Sequence, residues 1–191
     1  MATAPEIPLE RMNADAFLQW VEANDYGDQR YELIGGFINA MASGRLMHSR
    51  AKLRTTNALQ SAADDRNLRC EAIMDGVGVK ASDDEVFIPD ASLYCGEDLA
   101  GDIRIVPEPV VVVEVVSPST RAFDLGHKRA AYLAVPSIRH YLVVEPDQRV
   151  VVHHRKGEDG NIAIHLLRDG TLDLDPPGLT VAVADLLPRE G

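Results

Sequence analysis

The chain has 191 residues, enough for one domain with a sizeable core, and its 46% hydrophobic and 26% charged residues are those of an ordinary globular protein rather than a disordered one. A formal net charge of -11 argues against bulk, nonspecific attraction to nucleic acid, although it leaves open a cleft whose carboxylates hold cations. No apolar run is long enough to span a bilayer, and the opening MATAPEIPLERM lacks the basic and apolar parts of a secretory leader, so a cytoplasmic protein with no membrane partner is expected.

In chain order, residues 1–11 read as a loose lead-in, and residues 12–187 as one folded domain. Asn13 is placed to cap a helix running to about Ala23, with Phe17, Trp20 and Val21 on one face. Tyr31 to Ile34 and Phe37 to Met41 read as a hairpin closed by Gly35 and Gly36. A polar turn at Ser43 and Gly44 leads into a helix from Leu46 to Ala63. Leu68 to Met74, Val77 with Val79, and Val86 to Tyr94 have strand character, the last interrupted by Pro89. Gly96 to Pro109 reads as an acidic loop.

Val110 to Val116 is a β-branched run that suits a central strand buried on both sides. A helix over Phe123 to Ala134 ends at Pro136, and Ile138 to Val144 pairs with Val150 to His154 across a turn at Glu145 to Gln148. Ile162 to Leu167 reads as a further strand, Asp175 to Gly178 as a turn, and Val181 to Leu187 as a short terminal element. This order predicts an α/β (α+β) domain, a mixed sheet flanked by helices.

Cys70 and Cys95 have neither CxxC nor metal-ligand spacing and are expected to be two buried thiols, in keeping with a reducing compartment. From Arg45 to Cys70 the chain is locally basic, with Arg45, Arg50, Lys52, Arg54, Arg66 and Arg69 against Asp64 and Asp65. That segment suits a phosphate backbone, a solvated face or a partner surface equally.

Glu114 is the most informative residue. It stands within VVVVEVV, where a charge costs several kcal/mol unless it is paired or bound to a metal. The alternatives are a site carboxylate, a buried salt bridge or an edge position. Asp90 follows Pro89 at a strand break, where it can point into a cleft; on its own a Pro-Asp pair is more often a turn. Two carboxylates on adjacent strands would offer hard oxygen ligands suited to Mg²⁺ or Mn²⁺. Lys128 lies on the helix after the Glu114 strand, where it can fold back toward a phosphate or its attacking water, and Asp124 four residues earlier makes a surface ion pair the alternative. Glu32, between apolar neighbours, reads by spacing as a solvent-facing strand residue. His48 can contact phosphate, move a proton or cap local structure, and the adjacent His153 and His154 must point to opposite faces of a strand.

The run Tyr31-Glu32-Leu33-Ile34-Gly35-Gly36, then His48, Pro89-Asp90, the stretch VVEVVSPSTR from Val112 to Arg121, and Asp124-x-x-x-Lys128-x-x-x-Tyr132 resemble the Uma2 family, also called DUF820. Its members are described as restriction endonucleases of the PD-(D/E)XK nuclease superfamily. The likeness covers roughly residues 12 to 185.

The resemblance implies a restriction-endonuclease-like core and assigns Asp90 and Glu114 to a metal, with Mg²⁺ expected and Mn²⁺ an alternative. It raises Glu32 to an accessory ligand and makes His48, Asp124 and Tyr132 accessory residues. The superfamily lysine usually stands two residues after the glutamate, where this chain has Val116; the resemblance transfers that role to Lys128. The opening YELIGGF departs from the family's usual YELIDGE at Gly35 and Phe37, leaving Glu32 intact. The expected reaction is hydrolysis of a nucleic-acid phosphodiester, most readily DNA, by a homodimer with two symmetric sites. The rival expectations are an inactive interaction protein of the same fold and a nuclease acting on RNA or a small phosphoester.

Overall fold

The computed structural model describes residues 6–24, 29–42, 44–116 and 121–188, so Ser43 of the expected turn, Ser117 to Thr120 of the family-like run and the first five residues of the lead-in lie outside it. The first element is α1 (Ala14–Ala23), where the Asn13 side chain accepts a hydrogen bond from the Ala16 amide, as its sequence position predicts. Then come β1 (Tyr31–Ile34), β2 (Phe37–Ala40), the long α2 (Leu46–Asp65), β3 (Cys70–Met74), β4 (Val79–Ser82), β5 (Glu85–Phe87), β6 (Ala91–Cys95) and β7 (Val111–Val115). The helical crossover consists of α3 (Arg121–Phe123), a π-helical turn (Asp124–Lys128) and α4 (Arg129–Ala134). It is followed by β8 (His140–Glu145), β9 (Val150–Lys156), β10 (Ile162–Leu167), β11 (Thr171–Leu174), β12 (Leu179–Ala182) and α5 (Val183–Leu186).

Six strands form the main sheet in the order β10-β9-β8-β7-β6-β3, and four form a second sheet, β2-β1-β5-β4. The main sheet is mixed: β7 and β8 run parallel, Glu114 beside Val143, and the helical crossover joins them as a parallel pair requires. The remaining neighbours in it are antiparallel. The mixed sheet flanked by helices is the architecture expected from the sequence.

Pro89 marks where the chain leaves one sheet for the other. What read as one interrupted strand is two, with β5 in the four-stranded sheet and β6 in the main one. Proline supplies no ladder donor, which makes the switch cheap at this position. The Ile88 amide finds a buried partner instead in Glu32 Oε1, at 2.9 Å.

Burial follows the two faces of β7. Val111, Val113 and Val115 pack with Ala51, Leu59 and Ala63 of α2 and with the β11-β12 hairpin and α5, while Val112 and Val116 pack with Tyr132, Leu133 and Tyr141 beneath α4. A third cluster joins α1 to β1 through Phe17, Tyr31 and Leu33. Strand alternation then turns Glu32 away from that cluster and turns Glu114 to the α4 face.

Other expectations are corrected. Cys70 and Cys95 are not thiols: they face each other across β3 and β6 and are joined by a disulfide, so unpaired cysteines no longer speak for a reducing setting. The helix after β7 begins earlier than expected and contains a π turn, a feature that hydrophobic spacing does not announce. The β11-β12 hairpin around Asp175 to Gly178 was read only as a turn. Among the described residues no helix is long and apolar enough to cross a membrane.

Candidate active site

A cleft of about 500 Å³ opens between β1, the start of α2, the ends of β6 and β7, and the π turn. Its lining includes Glu32, His48, Lys52, Asp90, Glu114, Asp124 and Lys128, so the structure brings together all the carboxylates singled out in the sequence, with the lysine and His48. Tyr132 stands behind them and donates to Glu114 Oε1 at 3.0 Å.

Each side chain has a local reason for its place. Glu114 occupies the β7 position that alternation turns toward Tyr132, and it is 4% exposed. Asp90 precedes β6; its amide donates to the Val113 carbonyl, and its Oδ2 accepts from the Val115 amide at 2.6 Å. The carboxylate therefore satisfies a β7 backbone donor where β6 has not yet begun. Glu32 is buried beside the cleft, not solvent-facing as its spacing alone implied, because the strand's other face packs on α1.

The π turn sets Asp124 and Lys128 inward together, both about 5% exposed, with 4.0 Å between Lys128 Nζ and Asp124 Oδ1. An exposed helical ion pair is thereby excluded. Lys128 Nζ lies 2.9 Å from Glu32 Oε1 and 3.1 Å from Glu114 Oε1, bridging strands of the two sheets, and sits 5.4 Å from the centre of the Phe87 ring. Val116, two residues after Glu114, is buried among apolar side chains.

Lys52 was not singled out as a site residue in the sequence. Its Nζ lies 2.6 Å from Asp90 Oδ1 and 2.8 Å from Asp75 Oδ2, and Arg30 closes the network 2.8 Å from the same Asp75 oxygen. The available signal was its position one helical turn after His48, which puts both on one face of α2. The basic segment is otherwise divided. Arg45 lines the cleft, Arg54 donates to the Ala184 carbonyl, and Arg69 pairs with Glu97 at the surface.

The electrostatics are those of a crowded, desolvated cluster. Burial pushes the Glu114 carboxyl well above its ordinary range; Lys128 opposes this, and Asp90, Asp124 and Glu32 reinforce it. Burial by itself would lower the Lys128 ammonium, but Glu114, Glu32 and Asp124 outweigh it and hold the group charged. Burial and the neighbouring Glu114 and Glu32 raise the Tyr132 phenol, keeping it a neutral donor. Burial likewise opposes the charge of Lys52, but Asp90 and Asp75 leave its value raised.

Four buried carboxylates, Glu32, Asp90, Glu114 and Asp124, share the cleft with Lys52, Lys128, Arg30 and Arg45 among the described residues. Carboxylate oxygens are the donors that suit a hard divalent cation. Among the described residues no three His, Cys, Asp or Glu side chains are grouped closely enough to form a metal site. A cation at this cleft would have one or two of these carboxylates as ligands and take its remaining oxygens from solvent or substrate, as Mg²⁺ commonly does.

A family model named Uma2, described as "Putative restriction endonuclease", matches residues 14–184. The chain belongs to the Uma2 family. An uncharacterized protein of Synechocystis sp. is 27% identical over 185 residues, covering 96% of this Uma2 chain and 95% of that protein. A second uncharacterized Synechocystis protein is 24% identical over 144 residues, covering 74% and 80%. The fold also matches the crystal structure described as "a putative nuclease belonging to DUF820" from Anabaena variabilis. The TM-score is 0.70 at 16% identity, over 92% of this chain and 97% of that one. The Uma2 match takes in every residue of the cleft discussed here.

Proposed function

We propose that this Uma2 protein is a metal-dependent endonuclease that hydrolyses nucleic-acid phosphodiester bonds, with DNA as its substrate, and that Asp90, Glu114 and Lys128 carry the reaction. The observation that carries this reading is the convergence of Lys128 from the helical crossover and Glu114 from β7 in one cleft with Asp90.

In this reading Asp90 and Glu114 hold Mg²⁺, or Mn²⁺ in its place, which when bound supplies Lewis-acid activation of water and charge neutralisation at the phosphate. Glu32 has a dual use: its Oε1 accepts from Lys128 and from the Ile88 amide, and its carboxylate stands at the cleft as an accessory ligand. Tyr132 orients Glu114, and Lys52 orients Asp90. Lys128, held charged by its neighbours, stabilises negative charge developing on the phosphate oxygens, and Asp124 beside it helps to hold it charged. His48, with Arg30 and Arg45 at the cleft, offers contacts to the phosphodiester backbone on either side of the scissile bond. An acidic protein with a basic-rimmed cleft concentrates its attraction for polyanions where the chemistry is.

The test is a panel of duplex DNA, single-stranded DNA and RNA incubated with Mg²⁺, Mn²⁺ or EDTA, using wild type, Glu114→Gln and Lys128→Met, each checked for folding. Metal-dependent cutting of DNA by wild type that is lost in both variants is the expected result. Cutting confined to RNA would replace the substrate. No cutting of any polymer by folded protein would favour an interaction protein that shares the fold.

A further inference from the structure

We infer that the cleft receives an unpaired nucleotide, whose base stacks on the Phe123 ring while its phosphate meets Lys128 and the carboxylates. The inference rests on the nuclease reading and deepens it. The substrate class it names is an unpaired stretch of nucleic acid, either a free single strand or a nucleotide extruded from a duplex.

Among the described residues that line the cleft, Phe123 is the one phenyl ring. Phosphodiester hydrolysis has no use for it, because water, cation and phosphate all call for polar groups. A nucleobase does, since any base has a flat π face that an aromatic side chain can hold without regard to sequence. The ring is braced from behind. It stacks on the His127 imidazole at 5.1 Å, with 21° between the planes. His127 is held in turn by Glu85 of β5 and by an edge contact with Phe87. One face of Phe123 is thus covered, and the ring borders the apolar cluster beneath α4. What remains open lies in the cleft. Phe123 also directly precedes Asp124, the first residue of the π turn, so the turn that brings Lys128 inward fixes the place of the ring as well.

Shape selects the unpaired form. The cleft holds about 500 Å³, within the range of about 300–1,000 Å³ that suits small ligands. Glu32, Asp90, Glu114 and Lys128 are each under a tenth exposed, so the reacting phosphate has to enter. A duplex is stiff over about 150 base pairs and offers its backbone as a convex rod. An unpaired nucleotide can turn its base to one wall and its phosphate to another. Arg45 and His48, from α2 and not from the crossover, are placed for the neighbouring phosphates.

The test is binding to the full chain, with Ca²⁺ as the bridging cation and strand integrity checked on a gel. The probes are oligothymidine, an abasic sugar-phosphate strand of the same length, a duplex with one bulged thymidine, and the fully paired duplex. Wild type is expected to bind oligothymidine at least about tenfold tighter than the abasic strand, and either unpaired probe at least about tenfold tighter than the paired duplex. Phe123→Leu, with its folding checked by thermal unfolding, is expected to lose the preference for base over abasic strand, and Phe123→Tyr to keep it. A ring that only packs would change the unfolding temperature and leave that preference intact. Tighter binding of the single strand than of the bulged duplex assigns a free strand, and the reverse an extruded nucleotide; both support the inference. A folded Phe123→Leu that discriminates as wild type does overturns it, as does a paired duplex bound as tightly as the unpaired probes. Base-dependent binding without cutting of any polymer would sink the nuclease reading and keep the stacking site. Cutting and binding indifferent to Phe123→Leu would do the opposite.

Discussion

Lys52 Nζ lies 2.6 Å from Asp90 Oδ1, so a helix that contributes no carboxylate to the site fixes the orientation of one of its two central carboxylates. The same ammonium is 2.8 Å from Asp75 and is charged because Asp90 and Asp75 outweigh its burial. Replacing it by Met removes an orienting partner of a proposed ligand. Loss of such partners usually lowers metal affinity or activity by about 10- to 100-fold. Lys52→Met is therefore expected to lower kcat/KM by that order while leaving some cutting, and Lys52→Arg to recover part of it. Unchanged cleavage by a folded Lys52→Met would remove Lys52 from the site.

Lys128→Met tests the cluster through stability. It leaves Glu32 and Glu114 buried without their shared cation, and breaking a buried pair in this way costs about 3–5 kcal/mol. A divalent cation that binds only the folded chain restores stability by mass action. The unfolding temperature of Lys128→Met should therefore fall steeply in EDTA and recover in part with Mg²⁺.

Glu114→Gln is expected to act in the opposite direction on stability while abolishing cleavage. The folded-state value of Glu114 is raised, so its contribution to stability is complete below the unfolded value and is lost as pH rises through the folded one. Ionising this buried group without a metal therefore costs stability. The amide should match or exceed wild type in a thermal scan run in EDTA at neutral pH, and a large loss there would contradict the assignment of strain to Glu114.

A separate acid sensitivity is built into the main sheet. His140 Nε2 faces the Pro176 carbonyl at 2.9 Å and so carries the proton, leaving its Nδ1 to accept from His153 Nε2 at 2.9 Å. Burial lowers His140 to about 4 and His153 to about 3. Both values are depressed, so the folded chain binds fewer protons than the unfolded one. Stability is complete above the unfolded value near 6.5 and declines as pH falls from there toward 4, by up to about 1.4 kcal/mol per pH unit for each histidine. Chemical denaturation at a series of pH values should show this slope, and His153→Gln should flatten it.

Arg45 lies at the cleft, where a phosphate backbone would pass. Arg45→Ala should weaken duplex binding across sequences and reduce the slope of log affinity against log salt by about 1. An unaltered slope would move the backbone track away from α2.

Much of this arrangement was legible in the chain itself. Glu114 stood out because a carboxylate within a β-branched run needs a reason, and the run did become a strand buried on both faces. Pro89 was legible as a break, but not as a change of sheet, because sequence pattern gives the end of a strand and not its next neighbour. Glu32 was misread by spacing since alternation shows only that it opposes Tyr31 and Leu33; whether that face meets water or a cleft depends on α2 and the crossover. The disulfide was missed for a related reason: Cys70 and Cys95 become opposed only through the register of β3 against β6. Lys52 was hidden in a basic run whose members go to three different places.

Calorimetric titration of Mn²⁺ into wild type, Asp90→Asn and Glu114→Gln tests most directly whether these two carboxylates share a catalytic cation. Saturable binding by wild type, weakened or lost in both folded variants and tracked by their loss of metal-dependent cleavage, is the predicted result. Equal Mn²⁺ binding by all three proteins would contradict it.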